Sequence, residues 1–305
     1  MIVASRPRFD WSLRTRSLAL GARTLLVGVV NITPDSFSDG GQFFSPEMAL
    51  EHALRLLDEG ADILDLGGES TRPGTRPPVS VEQELDRVLP VLGAVLRERP
   101  GAMISIDTYK AATARAAIAA GVEIVNDVSG FQWDEAMART CAELQCGVIL
   151  MHSRGRMNEW RTQSPIPQEE VVPLVLRELR ERAEAALKAG VQRASLVLDP
   201  GFGFGKSFEE NYPLLAHLDA LHTLGYPILS GTSRKSFLGR TLAQVYGKDT
   251  PPEQRDNATL ASVTAAVLAG AHLVRVHNIR AAREAVAIAD AIRSGAKEDH
   301  SCGQG

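Results

Sequence analysis

The chain has 305 residues, with 33 Lys and Arg against 37 Asp and Glu, for a net charge of −4. Near-balanced charge and a pI near 6.0 argue against a polyanion-coating protein, and 5% aromatics leave little for base-stacking platforms. At 44% hydrophobic and 23% charged the chain is not compositionally disordered. No apolar run approaches the roughly 18 residues needed to span a bilayer.

Residues 1–24 form a basic N-terminal extension without the apolar stretch of a secretory signal. They read as a hairpin covering the floor of a barrel built from the rest of the chain. Strand one is expected at 25–30 and ends on Asn31, which opens NITPDSFSDGG. A helix at 48–57 leads to strand two at 62–66, followed by Gly67, Gly68, Glu69 and the segment STRPG. After a helix at 81–96, strand three at 103–106 ends on Asp107. A helix at 110–119 precedes strand four at 122–125, which ends on Asn126 and Asp127. Strand five, 147–151, runs into His152, and a helix at 169–187 comes next. Strand six, 195–198, ends on Asp199 in LDPGFGFGK, and strand seven, 227–229, leads to Ser233, Arg234 and Lys235. Residues 247–256 read as a surface excursion. A helix at 260–269, strand eight at 272–276 with Arg275 and His277, and a helix at 281–292 complete the order.

Short Val/Ile/Leu-rich runs alternating with helical spacing predict buried parallel strands with right-handed crossovers. Eight such units, with no G-x-G-x-x-G after the first strand, favour a single-domain TIM (β/α)8 barrel over an open doubly wound sheet. The barrel is assigned to residues 25–295, and 296–305 read as a frayed tail. Cys141, Cys146 and Cys302 are too few and too badly spaced for a disulfide framework or zinc site, which suits a reduced, cytoplasmic setting.

All eight predicted strand ends carry polar or ionisable side chains, whereas the helix-to-strand loops at the other end carry far less. In a barrel of this type the carboxyl end is where a site is built. Helix caps account for one or two such positions, not for all of them. Asp107, Asn126 and Asp199 suit the edge of an amide- and amidine-like heterocycle, and Lys235 balances their charge. Arg275 can stack on a flat ring while meeting an anion; with Arg72 and His277 it forms an oxyanion or phosphate cluster. Asn31 is a hard oxygen ligand fit for Mg2+ shared with a diphosphate. GFGFGKS ends like a phosphate-binding P-loop, but Pro200 stands where its first glycine belongs. His152 has no evident metal partner. His52, His217, His222 and His272 read as structural or solvated. Arg177, Arg180 and Arg182 with Glu178, Glu181 and Glu184 read as a solvated helix face laced with ion pairs.

With NITPDSFSDGG (31–41), DLGGESTRPG (65–74), SIDT (105–108), NDVSG (126–130), LDPGFGFGK (198–206), SRKSFLG (233–239) and RVH (275–277), the sequence resembles the dihydropteroate synthase family of pterin-binding enzymes. The segments occur in family order from Asn31 to His277. The resemblance implies a dimeric barrel that joins 6-hydroxymethyl-7,8-dihydropterin diphosphate to para-aminobenzoate and releases pyrophosphate. It implies that Asp107, Asn126, Asp199 and Lys235 bind the pterin and that Arg275 stacks on it. Arg275, His277 and, through Mg2+, Asn31 would hold the diphosphate. Thr71, Arg72 and Ser236 would border the para-aminobenzoate site, with Phe204 near its ring. The partners implied are small molecules, with no nucleic acid and no membrane. At Asn278 the family usually has Asp, so that position departs from the pattern. The rivals are a folate-dependent methyltransferase domain, which has no use for the SRK segment or an Arg-x-His site, and a non-catalytic pterin-binding protein, which would tolerate loss of Asn31, Lys235 or His277.

Overall fold

The computed structural model describes residues 3–33, 45–70, 78–160 and 162–298. The segments holding Thr71, Arg72, most of NITPDSFSDGG and Cys302 lie outside the described residues. Eight parallel strands run β3 (Leu25–Asn31), β4 (Ile63–Gly67), β5 (Ile104–Asp107), β6 (Ile124–Asp127), β7 (Gly147–Met151), β8 (Leu196–Asp199), β9 (Leu229–Ser230) and β10 (Leu273–Val276). They are ordered β8-β7-β6-β5-β4-β3-β10-β9, and a parallel bridge from Leu198 to Ile228 joins the two ends. The result is a nearly closed TIM barrel.

The helices are α1 (Pro46–Glu59), α2 (Val81–Glu98), α3 (Ala111–Ala119), α4 (Met137–Leu144), α5 (Gln168–Lys188), α6 (Asn211–Ala216), α7 (Ser236–Tyr246), α8 (Asp256–Leu268) and α9 (Ile279–Glu298). Three of them, α4, α6 and α7, go beyond the sequence expectation. The first two are short, at eight and six residues, so their apolar period barely repeats. The last helix runs through Glu298, into the segment read as tail. Residues 247–256 run mostly exposed, anchored to the barrel by the buried Thr250 and Arg255. Arg255 donates through Nε to the Thr250 carbonyl at 2.7 Å and through Nη1 to that of Arg234 at 3.0 Å.

Strand residues alternate between two cores, as a period of two demands. Leu26, Val30, Leu64, Leu66, Ile104 and Ile106 pack outward under the helices. Val27, Ile63, Met103, Ile124, Ile149, Val197, Leu229 and Leu273 form a separate cluster. Onto that cluster folds a hairpin of β1 (Phe9–Ser12) and β2 (Ser17–Leu20), paired antiparallel. Trp11, Leu13 and Leu20 belong to the same cluster, and Trp11 Nε1 donates to the Ser195 carbonyl at 2.8 Å. The approach is tight: a Cβ on Gly147 would fall 2.4 Å from Leu13 Cδ2.

One helix-face reading is corrected. Arg182 of α5 is buried, donating through Nη1 to the Met151 carbonyl at 2.9 Å and through Nη2 to that of Ser153 at 2.6 Å. Its stem lies beside Gly130, where a Cβ would come within 2.9 Å of Arg182 Cδ. The helix therefore turns this guanidinium inward to satisfy carbonyls left over at the end of β7.

Trp11 is fully buried and fills the barrel floor. Trp11→Ala is expected to cost about 3–5 kcal/mol, the range for large aromatic truncations in cores. Thermal or denaturant unfolding measures it, and a change below about 1 kcal/mol would show that the hairpin does not seal the barrel.

Candidate active site

A cavity of about 1040 Å³ opens at the carboxyl ends of the strands. Asn31, Asp107, Asn126, Asp199, Phe204, Lys235, Ser236, Arg275 and His277 all line it, as does Trp160. The structure thus brings together every predicted site residue that lies among those described.

Position along each strand explains the polarity. Ile63, Asp65 and Gly67 occupy alternate positions, as do Met103, Ser105 and Asp107, Ile124 and Asn126, and Leu273, Arg275 and His277. Asp65 is in register with Ser105, and Asp107 one step higher is in register with Gly67 and Asn126. The lower members of each series belong to the apolar floor, and the upper ones carry the chemistry.

Arg275 is the central cation. Its Nε donates to Asp65 Oδ2 at 2.6 Å and its Nη2 to Asp107 Oδ2 at 2.8 Å. Asp65 Oδ2 also accepts from Asn126 Nδ2 at 2.9 Å. Asp65 is fully buried and joins two predicted site residues, yet it has no role in the sequence reading. It sits inside the apolar run rather than after it. The signal that points to it is the two-residue step down from Gly67, into the facing layer below Asp107.

Burial pushes the Asp107 carboxyl up to about 7, because Arg275 offsets only part of the desolvation and Asp65 adds a like charge. Asp199 is also pushed up by burial, against the Gly201 N–H and the charges of Lys235, Lys206 and Arg275. Its Oδ1 accepts from Gly201 N at 2.7 Å.

The other side of the cavity is built on the loop entering α7. Arg234 takes a left-handed φ of 58°, with its guanidinium held by Asp256 at 2.8 Å, and this turn presents Lys235 at the head of the helix. Lys235 Nζ lies 3.7 Å from the centroid of the Phe204 ring. Trp160 meets the same ring edge-on at 5.1 Å. Ser233, another residue without a predicted role, fixes the His277 ring through Oγ at 2.9 Å from Nδ1. Asn278 donates to Asp256 Oδ2 at 3.0 Å while its Oδ1 accepts from Ala281 N at 3.1 Å. An aspartate there would set a second carboxylate against Asp256, so the amide is the residue type that this contact needs.

Barrel, cavity and charged cluster define an enzyme with a small-molecule site at the carboxyl ends of its strands. The sequence profile described as pterin binding enzyme matches residues 27–277. The dihydropteroate synthase of Bacillus subtilis is 41% identical over 264 residues, covering 87% of each chain. The Xanthomonas albilineans dihydropteroate synthase solved with 4-aminobenzoic acid is 42% identical, covers 95% of this chain and 99% of its own, and superposes with a TM-score of 0.82. A structure of that enzyme with 7,8-dihydropteroate gives 40% identity, 94% and 99% coverage and a TM-score of 0.78. The chain belongs to the dihydropteroate synthase family, the pterin-binding transferases of folate biosynthesis.

A carboxyl with a pKa near 7 gives a pH dependence of known sign. Ring N–H donors need the ionised carboxylate, so pterin affinity should rise from pH 6 to pH 8, by up to about tenfold. Titration calorimetry with a pterin across this range measures it, with Asp107→Asn expected to flatten the profile. A flat or falling wild-type profile would remove Asp107 from ring recognition.

Proposed function

We propose that this chain condenses 6-hydroxymethyl-7,8-dihydropterin diphosphate with para-aminobenzoate, forming 7,8-dihydropteroate and pyrophosphate. The observation that carries the reading is that one cavity gathers Asp107, Asn126, Asp199, Lys235, Arg275 and His277 in its walls.

The carboxylates and the Asn126 amide receive the hydrogen-bonding edge of the pterin, and Lys235 reaches its carbonyl oxygen. Arg275 meets Asp65 and Asp107 through the N–H groups at the edge of its planar fork, so its flat face is the part offered to the ring. The diphosphate sits against Arg275 and His277. Thr71, Arg72 and Ser236 border the para-aminobenzoate site, with Phe204 beside its ring; Thr71 and Arg72 lie outside the described residues.

Among the described residues no group of three His, Cys, Asp or Glu side chains is placed to hold a metal. The lone amide oxygen of Asn31 on the cavity wall nonetheless fits Mg2+, which takes few protein ligands beside substrate phosphates and water. Held there, Mg2+ would neutralise charge on the diphosphate.

Heterolysis of the methylene C–O bond sends its electron pair to the diphosphate and leaves a cation that the electron-rich ring delocalises. Asp107 and Asp199 favour that cation electrostatically, while Arg275 and His277 stabilise the departing anion. The para-aminobenzoate nitrogen then bonds to the methylene and loses a proton to solvent. Neither a covalent enzyme intermediate nor a protein base is needed.

A homodimer belongs to the same proposal. Val245 and Tyr246 at the end of α7 and Ile288 on α9 are 70%, 63% and 64% exposed, an apolar display suited to a second copy. Sedimentation is expected at twice 32.9 kDa, and a monomer at micromolar concentration overturns this part. The setting proposed is the cytoplasm: Cys141 and Cys146 are free, buried thiols, and no helix among the described residues is long and apolar enough to cross a membrane.

Incubation with the pterin diphosphate, para-aminobenzoate and Mg2+ should release pyrophosphate in step with dihydropteroate. No release across varied conditions overturns the assignment. His277→Ala should weaken the diphosphate-bearing pterin at least tenfold more than the bare pterin, as expected for loss of a charge-assisted contact. Equal losses would take His277 away from the anion.

A further inference from the structure

Three features outside the proposed chemistry meet in one buried cluster at the wall of the pterin cavity, which Lys206 itself lines. They are Lys206 of GFGFGK, His152 after β7, and Glu178 and Arg182 of α5. Lys206 Nζ donates to the Gly201 carbonyl at 2.8 Å and to His152 Nδ1 at 2.8 Å, with the Phe204 carbonyl at 3.5 Å. His152 Nε2 lies 3.0 Å from Glu178 Oε2, and Arg182 Nη2 reaches the same oxygen at 3.4 Å. His152 is fully buried, and Lys206 nearly so.

The chemistry of the donors fixes the tautomer. The Glu178 carboxylate only accepts, so Nε2 carries the ring proton, and in the neutral ring Nδ1 accepts from the Lys206 amine. Burial, with Lys206, Arg182 and Arg154 nearby, holds His152 well below the ordinary histidine range, in keeping with a neutral ring.

Gly201 transmits this arrangement to the cavity. Its carbonyl is held by Lys206 and its N–H donates to Asp199 Oδ1 at 2.7 Å. Its φ is 67°, and a Cβ there would fall 1.8 Å from the His152 carbonyl oxygen, so the loop has one way to pass. The Phe204 ring, three residues on, lies beneath Lys235 Nζ.

We propose that Lys206 is a positioning residue for pterin recognition. Its amine, braced by His152 and Glu178, holds the 201–204 loop so that Asp199 faces the pterin ring and Phe204 the para-aminobenzoate site. The GFGFGK segment then works as a clamp on a loop rather than as a phosphate cradle. This role rests on the reading of the cavity as the pterin site.

Lys206→Met keeps the stem and removes the donors. Affinity for 6-hydroxymethylpterin, measured by calorimetry, should fall about tenfold, the scale of a lost buried hydrogen bond. Pyrophosphate affinity in the presence of Mg2+ should stay within about twofold, because its contacts lie on β10 and at Asn31. Equal losses of both ligands, or unchanged pterin binding, overturn the proposal. Two histidine variants test it should Lys206→Met fail to fold. His152→Asn keeps an acceptor at the Nδ1 position and should retain pterin affinity within about threefold, whereas His152→Gln should lose it about tenfold. Indistinguishable Asn and Gln variants also overturn it. If the wild-type protein binds no pterin, the reading of the cavity fails instead, which separates the two outcomes.

Discussion

The guanidinium of Arg275 shared between Asp65 and Asp107 is the contact on which the upper barrel depends. Two carboxylates around one cation leave a net negative charge inside a protein, an arrangement that costs free energy unless each oxygen finds donors. Asp65 meets part of that need with Asn126 on its Oδ2, while its Oδ1 is buried without a donor among the described residues. Removing one partner from such a cluster strands the others and typically costs about 3–5 kcal/mol. The cluster therefore fixes four side chains from four strands at once. Burial also pushes the Asp107 and Asp199 carboxyls up, against the pull of the neighbouring cations.

Such a cluster needs a rigid, dry support, which the lower barrel supplies. The apolar layer from Val27, Ile63, Met103, Ile124 and their neighbours is closed from below by Trp11, Leu13 and Leu20. Low dielectric beneath the cluster strengthens the Arg275 contacts and raises the cost of any unpaired charge. The hairpin of residues 9–20, far from the chemistry, thereby shapes the field in which the carboxylates sit.

Much of this plan is legible in the sequence, and the illegible parts have a common cause. Asn31, Asp107, Asn126, Asp199, Arg275 and His277 stand out because each interrupts or closes an apolar run, and Lys235 because it lies in the polar turn after one. Strands buried on both faces read as continuous apolar segments, so the in-or-out phase of a residue within them is hidden. Asp65 escapes notice for that reason, although it lies two residues before a conspicuous glycine. Arg182 misleads for the converse reason. The Arg and Glu residues from 177 to 184 look alike in a charged helix, and only the carbonyls of Met151 and Ser153 distinguish the one that turns inward. Helices α4 and α6 are too short to show a period, and α7 begins within a segment whose interest is chemical rather than periodic.

The same logic separates the two lysines of the site. Lys206 and Lys235 both come after glycine- or serine-rich turns, and either could be taken for the residue that meets an anion. Lys206 is surrounded by acceptors from its own loop and from His152, so its donors are used within the protein. Lys235 stands at the head of α7, over an aromatic ring and on the cavity wall, where helix N–H groups also favour negative charge. One lysine thus holds the wall in shape and the other faces what enters. A glycine-rich motif with a terminal lysine signals phosphate binding only when that lysine's donors point out of the loop, and here they point into it.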